Sequence, residues 1–267
     1  CNIINRLNDA LAAPYEELQE HIPSEPVLNI DETGWKDKGV KYWAWVFCTP
    51  ILSFFYIAKS RSSKVLEEIL GKTYGGTIVS DFFSAYVKYA NRLQQFCLAH
   101  LIRDIKFLMT LPNEGDNRFG QALLIEFKKL FHFWHQREKI PKDRFDRWML
   151  RIKRRILTLA QQEDLPAKSL TLAKRFRKHG DAIFRFLFDS AVPPTNNGGE
   201  QSIRQLVIDR KITQGSRSEM GRQWNGRIWT VLDTCRKQGR SSWQFLQNAI
   251  CAHYFQTSTP SLLPQAN

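Results

Sequence analysis

Three acids in this chain stand where a carboxylate could do metal chemistry. Asp31 closes the apolar run Val27-Leu28-Asn29-Ile30, and Asp81 closes Thr77-Ile78-Val79-Ser80. Glu200 follows the turn-forming run Pro193-Pro194-Thr195-Asn196-Asn197-Gly198-Gly199 and opens an amphipathic stretch. Hard divalent cations take oxygen ligands, and Mg²⁺ is typically held by a few carboxylates together with water and substrate phosphate. Two such ions about 4 Å apart can activate the attacking oxygen and stabilise the leaving one in phosphodiester chemistry. That chemistry asks for acids and for no particular nucleophilic side chain.

Each acid also has a simpler reading. Asp31 and Asp81 could be acidic turns that follow strands. Asn197 and Glu200 stand at the spacing of a capping box, in which the acid merely satisfies a backbone N–H. Glu32 is an alternative ligand to Asp31, because neighbours on an extended segment point to opposite faces. The alternation along the strand favours Asp31. Cys97-x-x-His100 has the spacing of half a zinc site, but the matching half is absent. The cysteine therefore reads as packed, with His100 adjacent to the site and able to touch a phosphate or orient an acid.

The elements that must position these acids follow from periodicity. Residues 5–22 read as helix interrupted or restarted at Pro14. Residues 27–34, 41–49 and 52–59 are rich in β-branched and aromatic residues and read as three consecutive strands, the last two forming a hairpin. A helix is expected over 62–70, a strand over 77–81, a helix over 84–90 and a strand over 93–97. From residue 100 to residue 190 the pattern changes to long helices, over 100–111, 118–137, 142–162 and 168–190. Further helices are expected from Glu200, over 221–238 and over 242–255. The tryptophans at 43, 45, 224, 229 and 243 read as core residues. The order β-β-β-α-β-α-β is that of the ribonuclease H-like fold, an α/β class with a mixed five-stranded sheet, here interrupted by an all-helical insertion. The divisions expected are a helical segment 1–26, the first part of the core 27–100, the insertion 101–190, the completing helices 191–256 and a disordered tail 257–267.

Charge points to the partner. The chain of 267 residues carries +13, but residues 1–80 hold 8 Lys+Arg against 10 Asp+Glu, so the positive charge lies in the remainder. Residues 100–190 alone hold 20 basic and 11 acidic residues. An uneven basic surface suits a polyanion, most commonly nucleic acid. The densest runs are Lys153-Arg154-Arg155 and Lys174-Arg175-Phe176-Arg177-Lys178, which read either as solvated helix faces or as phosphate contacts. Glu200, Arg204, Val207 and Lys211 share one helical face, since eleven residues advance about three turns. There, an acid for metal would stand beside cations for phosphate.

No run of eighteen apolar residues occurs, so no transmembrane helix is expected. Five scattered cysteines, Cys1, Cys48, Cys97, Cys235 and Cys251, form no disulfide framework and fit a reducing cytoplasm. The chain opens without Met and without a basic-then-apolar leader, so a segment upstream is expected.

Taken together, the chain resembles the transposases of the IS66 insertion-sequence family, within the DDE superfamily. The resemblance rests on Asp31-Glu32-Thr33-Gly34, on Ser80-Asp81 with Tyr86 after it, and on Cys97-Leu98-Ala99-His100-Leu101-Ile102-Arg103. It continues through Asn196-Asn197-Gly198-Gly199-Glu200-Gln201-Ser202-Ile203-Arg204 and Arg210-Lys211, and covers about residues 5–255. It implies that Asp31, Asp81 and Glu200 are the catalytic and metal-binding triad, with Mg²⁺ or Mn²⁺ as cofactor. It implies cleavage of DNA and joining of the freed 3′-OH to a target strand. DNA contacts are expected at Arg204, Arg210, Lys211, Lys153, Arg154, Arg155, Lys174 and Arg175, in a homodimer on DNA in the cytoplasm at the nucleoid. Relatives carry an upstream region for DNA recognition, so recognition of transposon ends is expected to lie outside this chain. Two other readings share these features: a nuclease or resolvase that hydrolyses without joining, and an inactive DNA-binding remnant.

Overall fold

The computed structural model describes residues 2–89 and 93–264. Cys1, the Ala90 end of one expected helix and the last three residues of the expected tail lie outside them. The chain divides into two compact units, residues 1–93 with 196–267, and residues 94–195.

The first unit is built on a sheet. Strands β1 (Val27–Asp37), β2 (Val40–Cys48) and β3 (Ser53–Ala58) run antiparallel in sequence order. Strand β4 (Thr77–Ser80) joins the other edge of β1 in parallel, with Val27 opposite Thr77 and Asn29 opposite Val79. The order across this unit is β3-β2-β1-β4, a mixed sheet. β1 runs on to residue 37, beyond the glycine expected to end it. It continues because the hairpin turns later, at Lys38 and Gly39, both with left-handed φ (48° and 78°). A two-residue turn of that kind matches the twist of the strands it joins.

The two faces of the sheet are covered by different helices. Leu28 and Ile30 of β1 share one face with Trp45, Phe47 and Phe54. Helices α1 (Asn2–Ala10), α2 (Ala12–His21) and α3 (Ser63–Leu70) belong to this unit, as does α4 (Ser84–Tyr89). Leu18, Leu66 and Tyr86 join the core on that face, with Phe245 from a later helix. The first break falls at Leu11 rather than at Pro14. Pro14 sits in the first turn of α2, where its missing N–H has no intrahelical partner to lose.

After the second unit the chain returns as α9 (Asn197–Thr213), α10 (Glu219–Lys237) and α11 (Ser242–Phe255). α9 covers the other face of the sheet through Ile203 and Leu206, packed with Trp35, Val46 and Phe55. α10 lies along β3 and closes its free edge with hydroxyls. Thr234 Oγ1 accepts from the Ser53 N–H at 3.0 Å and donates to the Ser53 carbonyl at 3.1 Å, while Thr230 Oγ1 accepts from the Phe55 N–H at 3.0 Å. An edge whose backbone groups are already bonded cannot template another strand.

Residues 261–263, which composition placed in a disordered tail, pack onto this unit. Leu262 is buried, and its carbonyl accepts from Gln238 Nε2 at 2.8 Å. Ser261 bonds to Glu17 and Arg240. Trp45 is fully buried, but Trp243 is 69% exposed, so the tryptophans are not uniformly core.

The second unit opens with the chain's fifth strand, β5 (Gln94–Phe96), followed by α5 (Leu98–Leu108), α6 (Glu114–His135), α7 (Lys142–Ala160) and α8 (Ala167–Ile183). The last helix ends at Ile183 rather than at Ser190, after a break in helical geometry at His179. Asp116 on α6 accepts from the Ser169 N–H and hydroxyl, at 3.0 and 2.6 Å, and so caps α8 from a neighbouring helix. No helix among the described residues is long and apolar enough to cross a membrane.

Candidate active site

Alternation along β1 decides which acid faces α9. Asn29, Asp31, Thr33 and Trp35 point to the α9 side, and three of the four are bonded there. Asn29 Nδ2 donates to Asn196 Oδ1 at 2.9 Å. Thr33 Oγ1 accepts from Arg210 at 3.1 Å, and Trp35 Nε1 donates to Ser216 Oγ at 3.1 Å. Asp31 stands between these anchors, with one carboxylate oxygen accepting the Glu32 N–H at 2.9 Å.

Glu32 points to the opposite face and is fully engaged. One carboxylate oxygen takes the Arg61 guanidinium at 2.6 and 2.8 Å, and the other takes the Tyr86 hydroxyl. Its side chain is 2% exposed, and Arg61 is itself stacked on Trp43 and Phe83. Glu32 is the anchor of a buried structural network.

Asp81 follows directly on β4, whose register pairs Asn29 with Val79, two residues before Asp31 and Asp81. Asp81 Oδ1 accepts the Phe83 N–H at 2.8 Å, which fixes the turn leaving the strand.

Glu200 arrives on α9, whose docking is set at both ends. At the start, Asn196 donates to the Ile30 carbonyl at 2.9 Å, and the Asn196 carbonyl accepts the Glu200 N–H at 3.0 Å. A Cβ on Gly199 would lie 2.8 Å from the Asn196 side chain, so the glycine makes room for this clamp. At the far end, Arg210 donates to the Gly34 carbonyl as well as to Thr33. The next segment pairs with β1 itself: Ser216 N–H donates to the Lys36 carbonyl at 2.9 Å, and Lys38 N–H donates to the Ser216 carbonyl at 3.0 Å. Ser216 Oγ bonds Asp37, which is also ion-paired to Arg222. The capping-box expectation is corrected here. Asn197 is the first residue of α9, the residue before it is Asn196, and the side chain of Asn196 bonds the strand instead of capping the helix.

The electrostatics register the gathering of the acids. Burial, and then the charge of Glu32, pushes the Asp31 carboxyl up to about 7. Asp81 and Glu200 push in the same direction, and the Glu32 N–H opposes them. Burial also raises Glu32, with Asp81 pushing in the same direction, against the pull of Tyr86 and Arg61. The charges of Glu32, Asp81 and Glu200 all reach Asp31, and that of Asp81 reaches Glu32 as well. Such a set of hard oxygen donors, with its charge held in a low-dielectric setting, suits a hard divalent cation.

The expected DNA-contacting cations divide. Arg204 and Lys211 are exposed on α9. Arg210, in contrast, turns one guanidinium nitrogen to β1, where it donates to Thr33 and Gly34. In the second unit, Lys153 lies over the Phe188 ring at 4.7 Å, and Arg175 is paired with Asp104 at 2.5 Å. Arg154 and Lys174 are exposed, and Arg155 stands 3.9 Å from Glu126. His100 lies in the first turn of α5, next to buried Cys97. Sequence reasoning missed Asn29, Asn196 and Ser216 as positioning residues. The Asn-Asn pair before the glycines was the one signal, and it read as a turn.

The sequence pattern of the IS66 transposase family matches residues 1–223 of this chain. An uncharacterized protein of Sinorhizobium fredii, y4jO, is 31% identical over 79 residues, which span 30% of this chain and 25% of that protein. No solved structure matches. With the family's pattern covering most of its length, the chain belongs to the IS66 family of transposases.

Proposed function

We propose that the first unit is a DDE-type catalytic core with a ribonuclease H-like arrangement, and that the helical second unit is an insertion between its second and third acids. The reaction is DNA strand cleavage followed by joining of the freed 3′-OH to a target strand. The observation that supports this reading is that the charges of Asp81 and Glu200 both reach Asp31, while Glu32, its neighbour, is bonded to Arg61 and Tyr86. Asp31 and Asp81, from adjacent parallel strands, would hold one cation between them, and Glu200 would complete a second site. Mg²⁺ or Mn²⁺ bound there supplies activation of the attacking oxygen and charge stabilisation of the leaving one. Asn196 and Ser216 hold α9 on β1, and so fix Glu200 against Asp31. In the cleavage step, water oxygen replaces the 3′-oxygen on phosphorus; in the joining step that 3′-OH replaces the 3′-oxygen of a target phosphodiester. Exposed Arg204 and Lys211, on the helix that carries Glu200, would meet the DNA backbone. Such a reaction couples two transposon ends, which fits a homodimer assembled on nucleoid DNA.

The test is Asp81→Asn, assayed for strand transfer with Mg²⁺ and checked for folding by circular dichroism. The expected result is a folded protein with no metal-dependent transfer. Full transfer by this variant would sink the assignment. Nicking without joining by the unaltered protein would instead favour a hydrolytic nuclease on the same acids.

A further inference from the structure

The second unit carries a cationic arc that the candidate active site does not use. On α7, Arg144, Arg147, Arg151, Arg154 and Arg155 are all exposed, and at 100° per residue they fall within a single arc about 100° wide. The apolar stripe of α7, Met149, Ile152 and Ile156, lies on the opposite side and is buried. Thr158 is the other side chain in the arc, and no acid falls within it. Asp143, at its border, is paired with Arg147. Arg151 and Arg154 have no ion-pair partner among the described residues. Lys153, nearest in sequence, is turned away onto Phe188.

From Arg144 to Arg155 the helix rises about 17 Å. That length spans about five base-pair steps of a duplex, at about 3.4 Å of axis each, so the face can reach several phosphates. Guanidinium is the side chain that pairs phosphate oxygens two at a time.

We propose that this face of α7 docks the phosphate backbone of duplex DNA, as a surface separate from the acids of the first unit. The choice of DNA rests on the function proposed above; the exposed, acid-free row of arginines does not. Contact with the phosphate backbone positions a duplex and carries no base sequence.

The test is binding of the full chain to an arbitrary DNA duplex of about 30 bp, long enough to cover several contacts at one charge per 1.7 Å. Anisotropy is followed across a KCl series in EDTA, so that cleavage chemistry is silent. The triple variant Arg147→Gln/Arg151→Gln/Arg154→Gln is expected to lower the slope of log K against log salt by about 2–3, since each lost phosphate contact removes about 0.9. The triple variant with Lys at the same positions is expected to keep the slope, which separates charge from folding. Lys64→Gln/Lys72→Gln/Lys88→Gln removes equal charge from exposed positions of the first unit and is expected to change the slope little. Equal effects of the two Gln triples, or an unchanged slope in the α7 triple, would overturn the proposal. Preferential competition by an RNA duplex would overturn the choice of DNA. Strand transfer with Mg²⁺ is read separately from binding in EDTA, so that failure of the catalytic reading and failure of the docking surface are told apart.

Discussion

Asn196 donates its side-chain amide to the carbonyl oxygen of Ile30 at 2.9 Å, tying the start of the Glu200 helix to the residue directly before Asp31. The same side chain accepts from Asn29, so two buried polar groups of β1 depend on it. Asn196→Ala leaves both unsatisfied and is expected to cost about 2–3 kcal/mol of stability. Strand transfer should fall further than the folded fraction does, because Glu200 loses its register with Asp31. Chemical denaturation alongside transfer kinetics checks this; a variant as active as the parent per folded molecule would show that the clamp does not position Glu200.

Gly215 controls the other end of that helix. Its φ is +95°, and a Cβ there would lie 2.1 Å from the Lys36 carbonyl oxygen. Gly215→Ala is expected to break the Ser216 pairing with β1 and to cost at least about 2 kcal/mol. Gly39→Ala, also at positive φ but with open space around it, should cost only about 1 kcal/mol. Equal losses in thermal melts would mean that the close approach at Gly215 contributes nothing.

How much of this was legible beforehand differs from residue to residue. That an acid follows each apolar run was a local pattern, but only Asp81 stands at a strand end, because β1 continues six residues past Asp31. Whether Asp31 or Glu32 faces the site needed the partners of both faces, and Arg61 and Tyr86 lie 29 and 54 residues from Glu32. Arg210 was expected at DNA from the resemblance alone, and its bonds to Thr33 and Gly34 join residues 177 and 176 apart that no local pattern connects. The Ser216–Asp37 bond joins residues 179 apart, and no local pattern announces it. Pro14 was misjudged because a proline is tolerated in the first turn of a helix, and the tail through Leu262 because packing overruled composition.

The pH dependence of stability carries the signature of the acids. The folded Asp31 carboxyl titrates near 7, above its ordinary value of 3.8, so between those limits the folded state keeps a proton that the unfolded chain has lost. The Asp31 contribution without metal is therefore expected to lower stability as pH rises from about 4 toward 7, by up to about 4 kcal/mol. Glu32 is raised too and acts with the same sign. Saturating Mg²⁺ should flatten the fall, since a cation replaces the proton. Denaturation profiles that superimpose with and without Mg²⁺ across this range would argue against a metal site at Asp31.

The central claim is that Asp31, Asp81 and Glu200 bind the metal and Glu32 does not. Mn²⁺ titration of the purified protein near pH 7.5, followed by electron paramagnetic resonance, tests it without DNA or turnover. Asp31→Asn, Asp81→Asn and Glu200→Gln are each expected to weaken Mn²⁺ binding by roughly tenfold or more, whereas Glu32→Gln should stay nearer the parent. Loss of binding in Glu32→Gln with binding retained in Asp31→Asn would contradict the account.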